Sequence, residues 1–344
     1  MGICWHNPDS NFLATLSPRS ARLIEGIVEQ RDINIKPTEA PEAPEARFGS
    51  EACALVAAGL NGTIGVLTRI GFEQGATSAS LAFWKCFGAF VLVAALCSRT
   101  HALRRQTAAL ASRWPRFACL SFLGIFCLYF FETKAFAQAS IPLVSFLTYA
   151  AGGATIVLSG LCLRERITRQ KWVAFLAIVA GVGVMSFAEG GVTGTLDGIV
   201  LALVGGCGYA LFIFFSKWFR IGAGLPQLVW LFGFGSAFLS VPLMQEGFAL
   251  PVGWQWLTLS ALILLPTIGG FYFTTRAVAH GQASKVQIIE TSDPLFATTF
   301  GFLVFGDALS QTGLLGAAAI ATGLVIAVWQ RHPRTRRRDA VQRQ

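Results

Sequence analysis

Ten long apolar runs punctuated by short polar stretches dominate the chain. They cover 52–72, 77–97, 117–136, 141–163, 171–188, 196–216, 225–244, 255–275, 283–306 and 311–330. None shows the strict alternation of a half-buried strand. Each approaches the ~20 residues that a helix needs to cross about 30 Å of hydrocarbon. Lipid offers no water to backbone N–H and C=O groups, so such runs must satisfy them internally, as helices. The pattern predicts an all-α, polytopic membrane protein of ten transmembrane helices.

The polar stretches add an orientation. Lys and Arg gather in alternate connections. Arg99, Arg104, Arg105, Arg113 and Arg116 precede the third run; Arg164, Arg166, Arg169 and Lys171 follow the fourth. Lys217 and Arg220 follow the sixth, Arg276 and Lys285 the eighth, and six arginines lie in the tail after 330. The intervening connections carry none, with Arg69 and Lys134 at span ends beside them. This positive-inside pattern predicts a multi-pass protein with two cytoplasmic termini and an even span count; the expected location is a bacterial cytoplasmic (inner) membrane.

Composition agrees. Of 344 residues 54% are hydrophobic and 13% charged, against about 25% charged in soluble domains. The net charge of +9 does not read as a nucleic-acid surface, because no basic stripe accompanies a soluble domain. Seven of eight cysteines lie in apolar runs, where they read as small hydrophobes and not as a disulfide framework or metal site. Residues 37–46, PTEAPEAPEA, read as an extended linker. The expected organisation is a cytoplasmic extension over 1–50, repeats over 51–188 and 189–330, and a basic tail over 331–344.

The two repeats emerge when the sequence is shifted by 142 residues. Residues 134–185 then lie on 276–327 without a gap. Ala135 meets Ala277, Val144 meets Val286, Ile178 meets Ile320 and Gly181 meets Gly323. An acid followed by a hydroxyl recurs before a Gly-containing run, as Glu165 and Thr168, then Asp307 and Ser310. The connection LRERITRQK is strongly basic, whereas its counterpart FGDALSQTG carries no basic residue. Equivalent loops therefore face opposite sides, as five spans per repeat require. Inverted repeats of this kind are typical of transporters.

The stretch LRERITRQKWVAFLAIVAGVGVM resembles the junction of the fourth and fifth helices of the EamA domain, in the drug/metabolite transporter superfamily. FGDALSQTGLLGAAAIATGLVIAV repeats that junction, and ETSDPLFATTFGFLVFGD resembles the ninth helix. The resemblance spans about 52–330. One departure is Lys85, in LAFWKCF, where the family commonly carries Arg. The resemblance implies a secondary carrier of metabolites, often an exporter of amino acids or related compounds. Import of a vitamin or metabolite is the alternative.

Charges inside spans are expensive and default to functional candidates. Lys85 lies about 12 Å into the second span and Asp293 about 15 Å into the ninth from the other side, at 1.5 Å per residue. Both reach the midplane and can meet, as a structural ion pair or as a substrate- and proton-handling pair. Glu290 stands one turn from Asp293. Helix breaks at matching places in the two halves are the best sequence pointer to a transport site. Gly152 matches Pro294, and Gly124 matches Pro266. Neutral candidates are Asn61 and Gln287; aromatic ones are Trp84, Tyr149, Tyr209, Trp230 and Tyr272. Glu132 and Lys134 read as interfacial, and Glu165 and Asp307 as capping or pairing groups. No metal site or cofactor is implied. The expected partners are a small-molecule substrate, the lipid bilayer and protons as a coupling ion. No GxxxxGK[ST], HExxH or GxSxG context suggests an ATPase or a membrane enzyme.

Overall fold

The computed structural model describes residues 49–139, 141–188, 194–306 and 310–329. Asp307, nearly all of the predicted N-terminal extension and the basic tail lie outside the described residues. Among the described residues, ten helices are long and apolar enough to cross a membrane. They are α1 (Ser50–Glu73), α2 (Ser78–Arg99), α3 (His101–Phe136), α4 (Leu143–Leu161), α5 (Arg169–Ala188), α6 (Leu196–Trp218), α7 (Leu225–Glu246), α8 (Gln255–His280), α9 (Ala283–Phe305) and α10 (Gln311–Val328).

Nine of these begin and end close to the apolar runs. The third corrects the sequence reading. The basic stretch before 117 is not an open loop but helical from His101. HALRRQTAALASRW contains no Gly or Pro and is rich in good helix formers. Thr107 in this stretch accepts a hydrogen bond from Trp230 Nε1 at 2.9 Å.

Helix starts follow the hydroxyl signals. Thr77, Thr195 and Ser310 cap α2, α6 and α10, accepting from the N–H of Ser80, Gly198 and Gly313 at 3.2, 3.1 and 3.0 Å. Thr168 accepts from Lys171 N–H at 3.3 Å. The hydroxyl of the repeated acid-then-hydroxyl motif is therefore the N-cap of α5 and of α10.

The helices pair with a two-fold logic. α3 packs on α6 and α7, and correspondingly α8 on α1 and α2. α4 packs on α6, and α9 on α1. α2 meets α7, α4 meets α9 and α5 meets α10, each helix against its own repeat mate. Exchanging the halves maps this pairing onto itself, so a pseudo-two-fold axis runs through the last three pairs.

Helices in lipid gain little from excluding water and depend on close approach. α5 and α10 touch through glycines. A Cβ on Gly181 would lie 2.6 Å from Gly316 O, and one on Gly316 2.6 Å from Gly181 O. Gly206 of α6 likewise leaves room for the Thr148 backbone, 2.5 Å from where its Cβ would stand.

The matched breaks are visible. α3 winds as a π-helix over Phe122–Glu132, and α8 does so over Ile263–Gly270, around Pro266. α4 is interrupted between Ala150 and Gly153, and α9 between Glu290 and Asp293. Three-residue turn bonds close both interruptions, Gly152 N–H to Tyr149 O and Ser292 N–H to Ile289 O, each 3.0 Å. π-bulges and broken helices at membrane depth are tolerated where they are buried in protein or line a cavity.

Candidate functional site

The interruptions of α4 and α9 face each other across the axis. Gly152 has no side chain because Gln287 needs the space: a Cβ there would sit 2.5 Å from Gln287 Nε2. Gln287 in turn accepts from Thr155 Oγ1 at 3.0 Å. Pro294 occupies the first turn of the restarted α9, where its missing N–H costs no helical bond.

Beside these breaks lies a narrow cavity lined by Asn61, Ile64, Leu128, Tyr129, Glu132, Thr148, Tyr149, Tyr209, Phe271, Glu290 and Asp293. Its free space of about 20 Å³ admits about one water. Lys85, Glu132, Glu290 and Asp293 are 2, 7, 1 and 5% exposed. Four ionisable groups thus sit deep among apolar helices, where each must be paired, hydrogen-bonded or neutralised.

Glu290 is held on both oxygens. Tyr209 OH donates to Oε2 at 2.5 Å, and Thr274 Oγ1 donates to Oε1 at 2.8 Å. Asp293 Oδ2 accepts from Tyr149 OH. Glu132 lines the cavity without a side-chain hydrogen bond among the described residues, and it interacts electrostatically with Lys85. The Lys85 ammonium lies 3.9 Å from the centroid of the Tyr129 ring, a cation–π contact.

The sequence placed Lys85 and Asp293 at one depth, where they can meet. They do not form an ion pair in this conformation. Lys85 lies over Tyr129 on the Glu132 side, and Tyr149 takes Asp293. Of the other candidates, Asn61, Tyr149, Tyr209 and Glu290 line the cavity, while Gly152, Gln287 and Pro294 shape the breaks beside it. Three aromatic candidates fall elsewhere. Trp84 donates to Ala249 O at 2.9 Å within a cluster with Phe248 and Trp256. Trp230 anchors the start of α3, and Tyr272 OH takes a bond from Arg276 Nη1 at 3.2 Å. Their amphipathic rings serve packing and anchoring.

Glu132, Tyr129, Thr148 and Thr274 were missed. Glu132 looked interfacial because its apolar run ends at 136, yet the helix is buried there by α6. The 142-residue shift held the clue. It places Glu132 on Thr274, Thr148 on Glu290 and Tyr129 on Phe271. Each half thus contributes one Glu and one Thr, in swapped positions.

Both ends of the bundle are bridged between halves. At the end bearing the basic connections, Glu165 accepts from Ala283 N–H at 2.8 Å, from Ser284 N–H at 3.1 Å and from Ser284 Oγ. Lys171 Nζ donates to Gln282 Oε1 and Ser284 Oγ, each 2.7 Å, and Lys285 pairs with Glu51 at 2.8 Å. At the other end, Gln255 Nε2 donates to Gln74 O at 2.7 Å, Thr258 Oγ1 to Gln74 Oε1 at 3.0 Å, and Ala79 N–H to Glu246 Oε2 at 3.1 Å. The small cavity thus lies between bridges that tie the two halves together at both ends of the bundle.

Comparison with known proteins bears on this geometry. Residues 50–187 and 196–329 each match the EamA-like transporter family. An uncharacterized transporter of Archaeoglobus fulgidus is 26% identical over 286 residues, 82% of this chain and 96% of its own. The uncharacterized transporter YwfM of Bacillus subtilis is 24% identical, over 79% of this chain and 91% of its own. A solved structure described only as a crystal structure of a protein superposes with a TM-score of 0.70 at 20% identity, covering 81% of this chain and 96% of that one. With two copies of the family's domain filling the ten-helix bundle, the chain belongs to the EamA-like transporter family.

Proposed function

We propose that this chain is a secondary active transporter that moves small metabolites across a bacterial cytoplasmic membrane by alternating access. Export of amino acids or related compounds, with protons as the coupling ion, is the reading favoured here. The observation that supports it most is the narrow cavity, where breaks from both halves meet four buried ionisable groups. A pseudo-two-fold bundle of this kind has two equivalent ways to open. Releasing the Glu165 and Lys285 bridges exposes the cavity at the basic end; releasing the Gln74 and Glu246 bridges exposes it at the other. The basic end is the cytoplasmic one in this reading, with both termini there.

The chemistry assigned to the site is recognition and charge compensation. Buried carboxylates can carry a proton or face a cationic group, and Lys85 offers a positive charge to an anionic group. Tyrosine hydroxyls orient the carboxylates. The test is flux into proteoliposomes, with labelled amino acids, amines and vitamins under an imposed proton gradient. Gradient-dependent accumulation of at least one compound, lost in Lys85→Ala and Asp293→Asn, is expected. Absence of flux for the whole panel by folded, correctly inserted protein refutes the reading, and wild-type flux in both variants refutes the site.

A further inference from the structure

The cavity's charge is lopsided. Its polar lining is Tyr129 and Glu132 from α3, Thr148 and Tyr149 from α4, Tyr209 from α6, and Glu290 and Asp293 from α9, with Lys85 of α2 against Tyr129 and Thr274 of α8 against Glu290 beside it. α1 brings Asn61, and α7 faces α2 with Ser236. One ammonium therefore confronts three carboxylates. Lys85 lies on the Glu132 side, so Glu290 and Asp293 keep only hydroxyl partners: Tyr209, Thr274 and Tyr149.

A second feature points the same way. Glu132 is more than nine-tenths buried, opens onto the cavity and accepts no hydrogen bond among the described residues. An ionised group in that position calls for a donor. The rings of Tyr129, Tyr149, Tyr209 and Phe271 complete the lining. Aromatic faces attract cations when desolvated, and one of these rings, Tyr129, has the Lys85 ammonium 3.9 Å from its centroid.

Resting on the carrier reading, we infer that the cavity selects cargo with a net positive charge, an organic amine or basic amino acid, whose ammonium groups are received by Glu290 and Asp293. Anionic cargo would add to the surplus of carboxylates. A zwitterion would leave it uncorrected. On the return leg the same two carboxylates take protons in place of the cargo, so each positive charge released is exchanged for one proton.

The experiment compares labelled lysine and putrescine with leucine and glutamate in proteoliposomes loaded at acid pH and diluted into alkaline buffer. Uptake of lysine or putrescine is expected to exceed that of leucine and glutamate by about tenfold or more, and to fall to the protein-free level in Glu290→Gln and Asp293→Asn. Because those variants can fail to fold, the ranking of the four compounds by the wild-type protein decides by itself. Leucine or glutamate carried as fast as lysine and putrescine overturns charge selection and leaves the carrier reading standing. No flux of any of the four, by protein shown to be monodisperse and inserted, overturns the charge selection, and the carrier reading falls with it only when the wider panel of amino acids, amines and vitamins is silent too.

Discussion

Glu165 is a sharp test of how the bundle holds itself closed. Its carboxylate reaches from the connection after α4 to the first turn of α9, taking two backbone N–H groups at 2.8 and 3.1 Å and the Ser284 hydroxyl. Those N–H groups are among the four that a helix start leaves open, and the helix dipole adds to the attraction for an anion. Hydrogen bonds to a charged group contribute about 1.5–3 kcal/mol each when buried. Glu165 is only partly buried, so the whole contact is worth about 2 kcal/mol in the closed state. Glu165→Ala removes it and leaves Lys171 holding Gln282 and Ser284. At 1.4 kcal/mol per factor of ten, that is a shift of about 30-fold toward the state open at the basic end. A minor open population of about 1% then rises to about a quarter. Spin labels at the exposed positions Arg166 and His280 straddle this contact, and pulsed electron–electron resonance reads their separation in nanodiscs. The variant should gain a longer-distance component that Glu165→Gln, which keeps one acceptor oxygen, shows to a lesser degree. An unchanged distance distribution in a folded Glu165→Ala protein refutes the assignment of this contact as a closure.

Other consequences can be measured by thermal unfolding in detergent or by binding. Gly316→Val pushes side-chain atoms against Gly181 O and Met185, and overpacking of this kind costs about 1–3 kcal/mol; a midpoint equal to wild type contradicts the close approach of α5 and α10. Ser121→Ala loses the bond from Oγ to Leu231 O at 2.8 Å, and a loss of only about 0.6 kcal/mol is expected because polar contacts between membrane helices average that. Tyr209→Phe deprives Glu290 of one of its two donors and should weaken cargo binding by about three- to tenfold, for a hydrogen bond worth about 1 kcal/mol; unchanged affinity separates Glu290 from recognition. Gly152→Ala meets the Gln287 amide at 2.5 Å and is expected to reduce transport more than it lowers the unfolding midpoint, since the residue shapes a break rather than a continuous helix.

The span count was legible because lipid leaves a chain few options. Runs of about 20 apolar residues had to be helices, and the basic connections fixed their alternation. The breaks were legible too, since the alignment of Gly152 with Pro294 and Gly124 with Pro266 marks where α4, α9, α3 and α8 depart from regular winding. Pairing inside the cavity was not. Depth along a helix says nothing about rotation around it, so Lys85 and Asp293 share a level without touching, and Trp84, next to Lys85, turns toward Trp256. Glu132 was misplaced for a related reason. Hydropathy reads the end of an apolar run as the end of the membrane, but α3 is enclosed there by α6, and a buried acid looks the same in sequence as an interfacial one.

The exchanged Glu and Thr carry the last step. Two identical halves would place Glu at 132 and 274, or Thr at both, and the cavity would be symmetric about its axis. The chain instead has Glu132 with Thr148 in one half and Thr274 with Glu290 in the other. The closed cavity is thereby polarised. Lys85 lies near Glu132, while Glu290 and Asp293 gather on the α9 side with tyrosine and threonine hydroxyls. Inverted repeats give a carrier two related open states at little cost in sequence. A strictly symmetric site would offer the same face to cargo from either side. Swapping one acid between the halves keeps the backbone symmetry that rocking needs and removes the symmetry of the charges. The double exchange Glu132→Thr with Thr274→Glu tests this directly. It conserves composition and moves one carboxylate across the axis, beside Glu290. If folded protein with that exchange carries its cargo with wild-type affinity and direction, the asymmetry of the acids has no part in transport.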